Sequence, residues 1–163
     1  MAAAIFVLSG CAVKGSGALT SDAQWKSYGL PIDVNAQARR DIFVGRWYDR
    51  QNANDGSQTM SLMDIKRDGT YSETWRTLEK NGRIKSAVEK GRWGISGNIF
   101  FTITTGRAEE GGAMADVDQS NAYYYDAYFI DNANKDENTI RHIITDETFV
   151  SRRVGDDFSF SSF

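Results

Sequence analysis

Val44-Gly45-Arg46-Trp47-Tyr48 is the stretch that decides the fold. It opens the first segment with clear strand character and puts a glycine two residues before a tryptophan. Just upstream, Asp33 stands where it can N-cap a short helix running to Arg40. The intervening Asn35-Ala36-Gln37-Ala38-Arg39-Arg40 carries no β-branched run to oppose that helix. Downstream, the chain reads as short alternating segments separated by turn residues.

Alternation and turn chemistry place strands near 43–50, 58–67, 70–78, 85–95, 98–105, 121–130, 138–145 and 147–154. Asp68-Gly69 is a two-residue hairpin signal, because both positions tolerate positive φ. Ser96-Gly97 marks another tight turn, and Asn81-Gly82 a slightly longer one. Consecutive antiparallel strands make a meander, and closing it into a barrel removes the exposed edges. The predicted fold is therefore all-β, an eight-stranded antiparallel up-and-down barrel with a short N-terminal helix. Two of its connections are tight and fall at one end, joined there by the polar 131–137. The connections 51–57, 79–84 and 106–120 fall at the other end, which makes the barrel a cup. The last of these carries Gly106, Gly111, Gly112, Met114 and Val117 and is expected to act as a mobile lid, the alternative being a floppy surface insertion.

The first residues form an apolar leader ending in Leu8-Ser9-Gly10-Cys11, which resembles a bacterial lipobox. Small residues admit the scissile bond to a signal peptidase, and the thiol accepts the diacylglycerol. No Lys or Arg precedes the apolar run, a departure from ordinary signal peptides. The competing reading is a frayed apolar N-terminus with an incidental cysteine. The lipobox divides the chain into a signal peptide (1–10), a tether (11–32) and a barrel domain (33–163), with Cys11 as the lipidation site. It also predicts a bacterial cell-envelope address. Ala12 is not aspartate, so the resemblance to lipoproteins of Gram-negative bacteria implies the outer membrane, facing the periplasm.

Composition excludes several classes. A net charge of −3 with no basic cluster argues against nucleic acid as a partner. One cysteine excludes an internal disulfide, and one histidine excludes the usual zinc sets. Asp131 to Asp136 has Ala133 and Lys135 where an EF-hand needs ligands. Glu109 and Glu110 read as solvated loop carboxylates. With no Ser/His/Asp set, P-loop or dinucleotide fingerprint, neither a cofactor, a metal nor an enzymatic activity is predicted.

Gly45-Arg46-Trp47, the helix before it, the meander and a late arginine together resemble lipocalin-like proteins of the calycin superfamily. Asp68-Gly69-Thr70-Tyr71, Gly91-Arg92-Trp93-Gly94 and Asn98-Ile99-Phe100-Phe101 look like the small bacterial lipocalin-like lipoproteins in particular. The resemblance covers about residues 40 to 154. It implies that Gly45 and Trp47 plug the closed end of the barrel and that an arginine of the last strand packs across Trp47. Arg152 is assigned that role over Arg153, because it alternates with Val150 and Val154.

Tyr71, Glu73 and Trp75 share one face of the third strand, and Tyr123, Tyr125 and Phe129 one face of the sixth. His142 lies between Ile140 and Ile144 on the seventh. Aromatic walls with a few polar atoms suit a small-molecule pocket. These seven residues are the candidate lining for a small, apolar or amphiphilic ligand, with the membrane touched only through the lipid anchor. The alternative is that the same rings fill the barrel, leaving a protein-interaction or inhibitor module.

Overall fold

Helix α1 (Val34–Phe43) leads through a single residue into β1 (Gly45–Asn52). The computed structural model describes residues 34–163 except 54 and 161; the leader, the tether and Cys11 lie outside the described residues. After β1 come β2 (Gln58–Ile65), β3 (Thr70–Leu78), β4 (Ile84–Ser96) and β5 (Ile99–Glu109). The two-residue β6 (Ala115–Asp116), β7 (Tyr125–Ala133), β8 (Glu137–His142) and β9 (Thr148–Val154) complete the chain. All pairings are antiparallel. β1 pairs with both β2 and β9, and β4 with β5, so the eight long strands close into a barrel in sequence order. This is the predicted architecture. Closure leaves no long edge to pair with another chain.

The tight turns form for the predicted reason. Gly69 and Gly97 adopt φ of +86° and +62°, which an L-residue with a side chain adopts only under strain. The Asp68 carboxylate accepts from the Thr70 backbone N–H at 2.9 Å and from its hydroxyl at 2.6 Å, locking the β2–β3 turn.

The main core sits at the end where α1 enters. Phe43, Trp47, Ile65, Tyr71, Trp93 and Phe100 form one buried cluster, and the Phe43 and Phe100 rings stack at 5.3 Å. Each such side chain contributes about 1.5–3 kcal/mol through removal from water. The Trp47 indole N–H donates to the Phe43 carbonyl at 2.7 Å, which ties β1 to the last turn of α1.

Arg153, not Arg152, lies across Trp47, with its guanidinium 4.3 Å from the ring centre. Arg153 also donates to the carbonyls of Val44 and Ile42 at 2.7 and 2.6 Å, answering acceptors at the C-terminal end of α1. The inward face of β9 carries Phe149, Ser151 and Arg153, while Val150 is 48% exposed and Arg152 exposed. The valines mark the outer face here, which reverses the phase that apolarity suggests. Gly45 follows from the same contact. Its φ is +133°, and a Cβ there would stand 2.1 Å from Arg153 Nη1.

The segment 106–120 is not a free lid. β5 continues to Glu109, and β6 turns back so that Gly106 pairs with Asp116 and Arg107 with Ala115. Val117 N–H donates to the Thr105 carbonyl at 3.2 Å and the Gln119 amide to the Thr104 carbonyl at 2.8 Å. These bonds lay the segment along the barrel wall.

Candidate functional site

The inward face of β1 runs from Trp47 to Asp49 in one step, and that step leaves the apolar plug for a polar layer. Asp49, Ser61 of β2, Glu73 of β3, Asn138 of β8 and Ser151 of β9 all line one cavity of about 50 Å³ in the barrel interior. Its apolar wall includes Trp47, Trp75, Phe100, Tyr128 and Phe149. About 10–15 Å³ of such space holds one water, so the cavity suits a few waters or a small head group.

Burial dominates the chemistry of this layer. Glu73 is 7% exposed; Ser61 Oγ donates to one of its carboxyl oxygens. Desolvation pushes the Glu73 carboxyl up to about 8, opposed by the Ser61 hydrogen bond and aided by the negative charges of Asp49, Glu89 and Asp126. Desolvation also pushes Asp49 up to about 7, with the charge of Glu147 adding to it. Among the described residues no salt bridge reaches either group. Burial raises the phenols of Tyr71 and Tyr128 as well, so both stay protonated donors.

Around the layer the other inward acids have partners. Glu89 pairs with Arg107, which also holds Glu109 at 2.8 Å. Thr104 Oγ1 donates to Glu89 at 3.2 Å and meets the Tyr71 hydroxyl at 2.6 Å. Asp126 faces His142 Nε2 at 3.5 Å, and the His142 ring meets Tyr128 edge-on at 5.2 Å. Among the described residues no group of three or more His, Cys, Asp or Glu is arranged to hold a metal ion.

The structure brings together part of the predicted lining. Glu73 and Trp75 line the cavity, and Tyr71 packs in the core cluster beside it. His142 faces inward next to Asp126 and Tyr128, while Ile144, expected to flank it, is 83% exposed. Tyr123, Tyr125 and Phe129 belong elsewhere. Tyr123 and Tyr125 are 64% and 47% exposed, and Phe129 lies under the Arg141 guanidinium at 5.1 Å, outside the barrel. The inward phase of β7 runs through Asp126, Tyr128 and Ile130, and an aspartate in that phase hides it from a reading based on apolarity. Sequence reasoning also missed Asp49, Ser61, Asn138 and Ser151. The signal for Asp49 was its spacing from Trp47, because residues two apart on a strand share a face.

The helix leading into Gly45-Arg46-Trp47, the closed eight-strand meander and an arginine of the last strand across Trp47 are now all in place. The fold is lipocalin-like. No family profile and no curated protein matches the chain. Solved structures that resemble this lipocalin-like barrel include a lipocalin-like protein from Bacteroides uniformis. It is 13% identical, with a TM-score of 0.43, and the match covers 69% of this chain and 99% of that one. The interior polar layer is where this barrel differs from a plain packed core.

Proposed function

We propose that this protein is a lipid-anchored envelope protein that binds a small, partly apolar ligand in the middle of its barrel. The observation that supports this reading is the cavity of about 50 Å³ at which Trp75 and Tyr128 meet Asp49, Glu73 and Asn138. Burying carboxyls without a counter-charge costs stability, so a barrel selected for packing alone has no reason to keep them. Pockets for drug-sized molecules run to about 300–1,000 Å³. This cavity therefore takes a ligand of few heavy atoms, or the head group of a longer one. Mass spectrometry of molecules released on denaturing the natively expressed protein tests the reading. A stoichiometric small molecule supports it. An empty barrel, together with no melting-temperature shift across a panel of small amphiphiles, overturns it.

The anchor has its own test. Cys11→Ser should abolish acyl labelling and leave the precursor uncleaved, and unchanged labelling would rule out this attachment site. A second reading, an interaction or inhibitor module with a filled barrel, has support in the apolar residues exposed on the loops of one end. Met114, Tyr123, Ile143 and Ile144 are 39%, 64%, 45% and 83% exposed. Ser61→Met fills the cavity and leaves those loops untouched. Loss of function in that variant favours the ligand reading, and retention favours the interaction module.

A further inference from the structure

We propose that the ligand carries a cationic head, a primary or substituted ammonium, which Asp49 and Glu73 bind against the aromatic wall of the cavity. The inference rests on the ligand-binding reading above and names the chemistry of what enters.

The charges that face the interior carry the argument. Carboxyls come from β1 (Asp49), β3 (Glu73), β4 (Glu89) and β7 (Asp126), with Glu147 near Asp49 from the connection before β9. Among the described residues the basic groups on the inward faces are fewer and already engaged, Arg153 by the Trp47 ring and the carbonyls of Ile42 and Val44. Arg107 is held by Glu89 and Glu109, and His142 stands beside Asp126. Asp49 and Glu73 line the cavity, and among the described residues neither has a counter-ion and Ser61 is the only side chain that donates to Glu73. An anionic ligand would meet two acids there. A neutral ligand without hydrogen-bonding groups would leave both carboxyls as costly as they are in the empty barrel, and no neutral ligand offers the charge that their ionised forms lack. An ammonium answers them, and a ring face of Trp75 or Tyr128, both of which line the cavity, would add cation–π attraction in a desolvated site.

A second, independent feature points to an occupant. The Gln51 side-chain nitrogen is fully buried and has no hydrogen-bond partner, and among the described residues no other side-chain nitrogen or oxygen is in that state. Gln51 lies one inward step beyond Asp49 on β1, towards the loop-bearing end of the barrel. Buried donors are almost always paired, so an orphan one inward step from a cavity-lining residue marks a place for a missing acceptor. The expected ligand thus presents an ammonium to Asp49 and Glu73 and a hydroxyl, ether or carbonyl oxygen towards Gln51.

Binding of such a cation draws both carboxyls into their ionised forms. With Asp49 near 7 and Glu73 near 8, binding releases protons at neutral pH and tightens as pH rises. The test uses the full chain and three isosteric probes, n-butylammonium, 1-butanol and butyrate, by calorimetry at pH 6.5 and 8.5. At pH 8.5 butylammonium should bind at least tenfold tighter than butanol, and butyrate should not bind. Butylammonium affinity should fall at least tenfold at pH 6.5, with proton release read from the dependence of the heat on the buffer. Glu73→Gln and Asp49→Asn should each reduce the preference for butylammonium over butanol, and a melt of each variant establishes that it is folded. Butanol binding as tightly as butylammonium overturns the cationic head and leaves the ligand reading standing. So does butyrate binding best. If none of the three binds, the cationic head is overturned, and an empty barrel in mass spectrometry with no melting-temperature shift across the amphiphile panel then removes the ligand reading as well.

Discussion

The closed end and the middle of this barrel are one inward step apart on β1, at Trp47 and Asp49, and their surroundings treat polar atoms differently. At the closed end the Trp47 N–H has the Phe43 carbonyl, and the Arg153 guanidinium has two carbonyls and an indole face. Every charged or polar atom named there has a partner, so the plug is a finished structure. In the middle, Asp49 and Glu73 have no counter-charge and Gln51 keeps an unanswered nitrogen. The difference separates what holds the fold from what the proposed ligand would use. Stability should come from the first region and pH sensitivity from the second.

The sharpest way to break the comparison is to empty the plug. Trp47→Ala removes a ring that is 2% exposed, and its cost should be about 3–5 kcal/mol in urea melts. A loss below about 1 kcal/mol would strip Trp47 of its organising role. The next step separates the two arginines. Arg153→Ala should cost about 2–3 kcal/mol, because it leaves two carbonyls without their donor and an indole without its cation. Arg152→Ala, on the exposed face, should stay within about 0.5 kcal/mol. Equal losses would contradict the assignment of β9's inward face.

The middle layer should announce itself through pH. Both carboxyls hold their protons in the folded state up to a higher pH than in the unfolded chain. The folded state therefore binds more protons over this range, and stability falls as pH rises from about 4 towards 8. Each group contributes a slope of up to about 1.4 kcal/mol per pH unit. Glu73→Gln should flatten the upper part of that decline. Urea melts at pH 5.5 and 8.5 check it, and a wild type more stable at pH 8.5 would contradict the account. The smallest effect concerns the segment first expected to be a lid. Replacing 108–118 with a short Gly/Ser link removes the β6 pairing and should cost about 1 kcal/mol, with the barrel still folded.

The sequence made the barrel legible and its interior only in part. Asp68-Gly69, the Gly45-x-Trp47 spacing and the strand alternation carry local signals that no distant contact overrides. The errors about which residues face inward share one cause, the rule that apolar residues point inward. On β9 that rule selects Val150 over Ser151, and with it Arg152 over Arg153. On β7 it selects Tyr125 and Phe129 over Asp126 and Tyr128. It fails in the strands that cross the polar layer, because there the inward phase holds Asp49, Glu73, Asp126, Asn138 and Ser151. Trp75 and Glu73 were found because their strand carries aromatic rings and the acid in one phase. The folded path of 106–120 was hidden because its glycines suggest freedom, while the bonds that pin it run to β5 backbone atoms of Thr104 and Thr105.

The most direct measurement is a carbon-detected NMR titration of the side-chain carboxyls in the folded protein, with Glu73→Gln and Asp49→Asn used to assign the signals. The account predicts that Asp49 titrates near 7 and Glu73 near 8, while exposed acids such as Asp55 and Asp118 titrate below the ordinary aspartate value through their serine hydrogen bonds. If Asp49 and Glu73 titrate near 4 with the rest, the polar layer stands in water and the interior site does not exist.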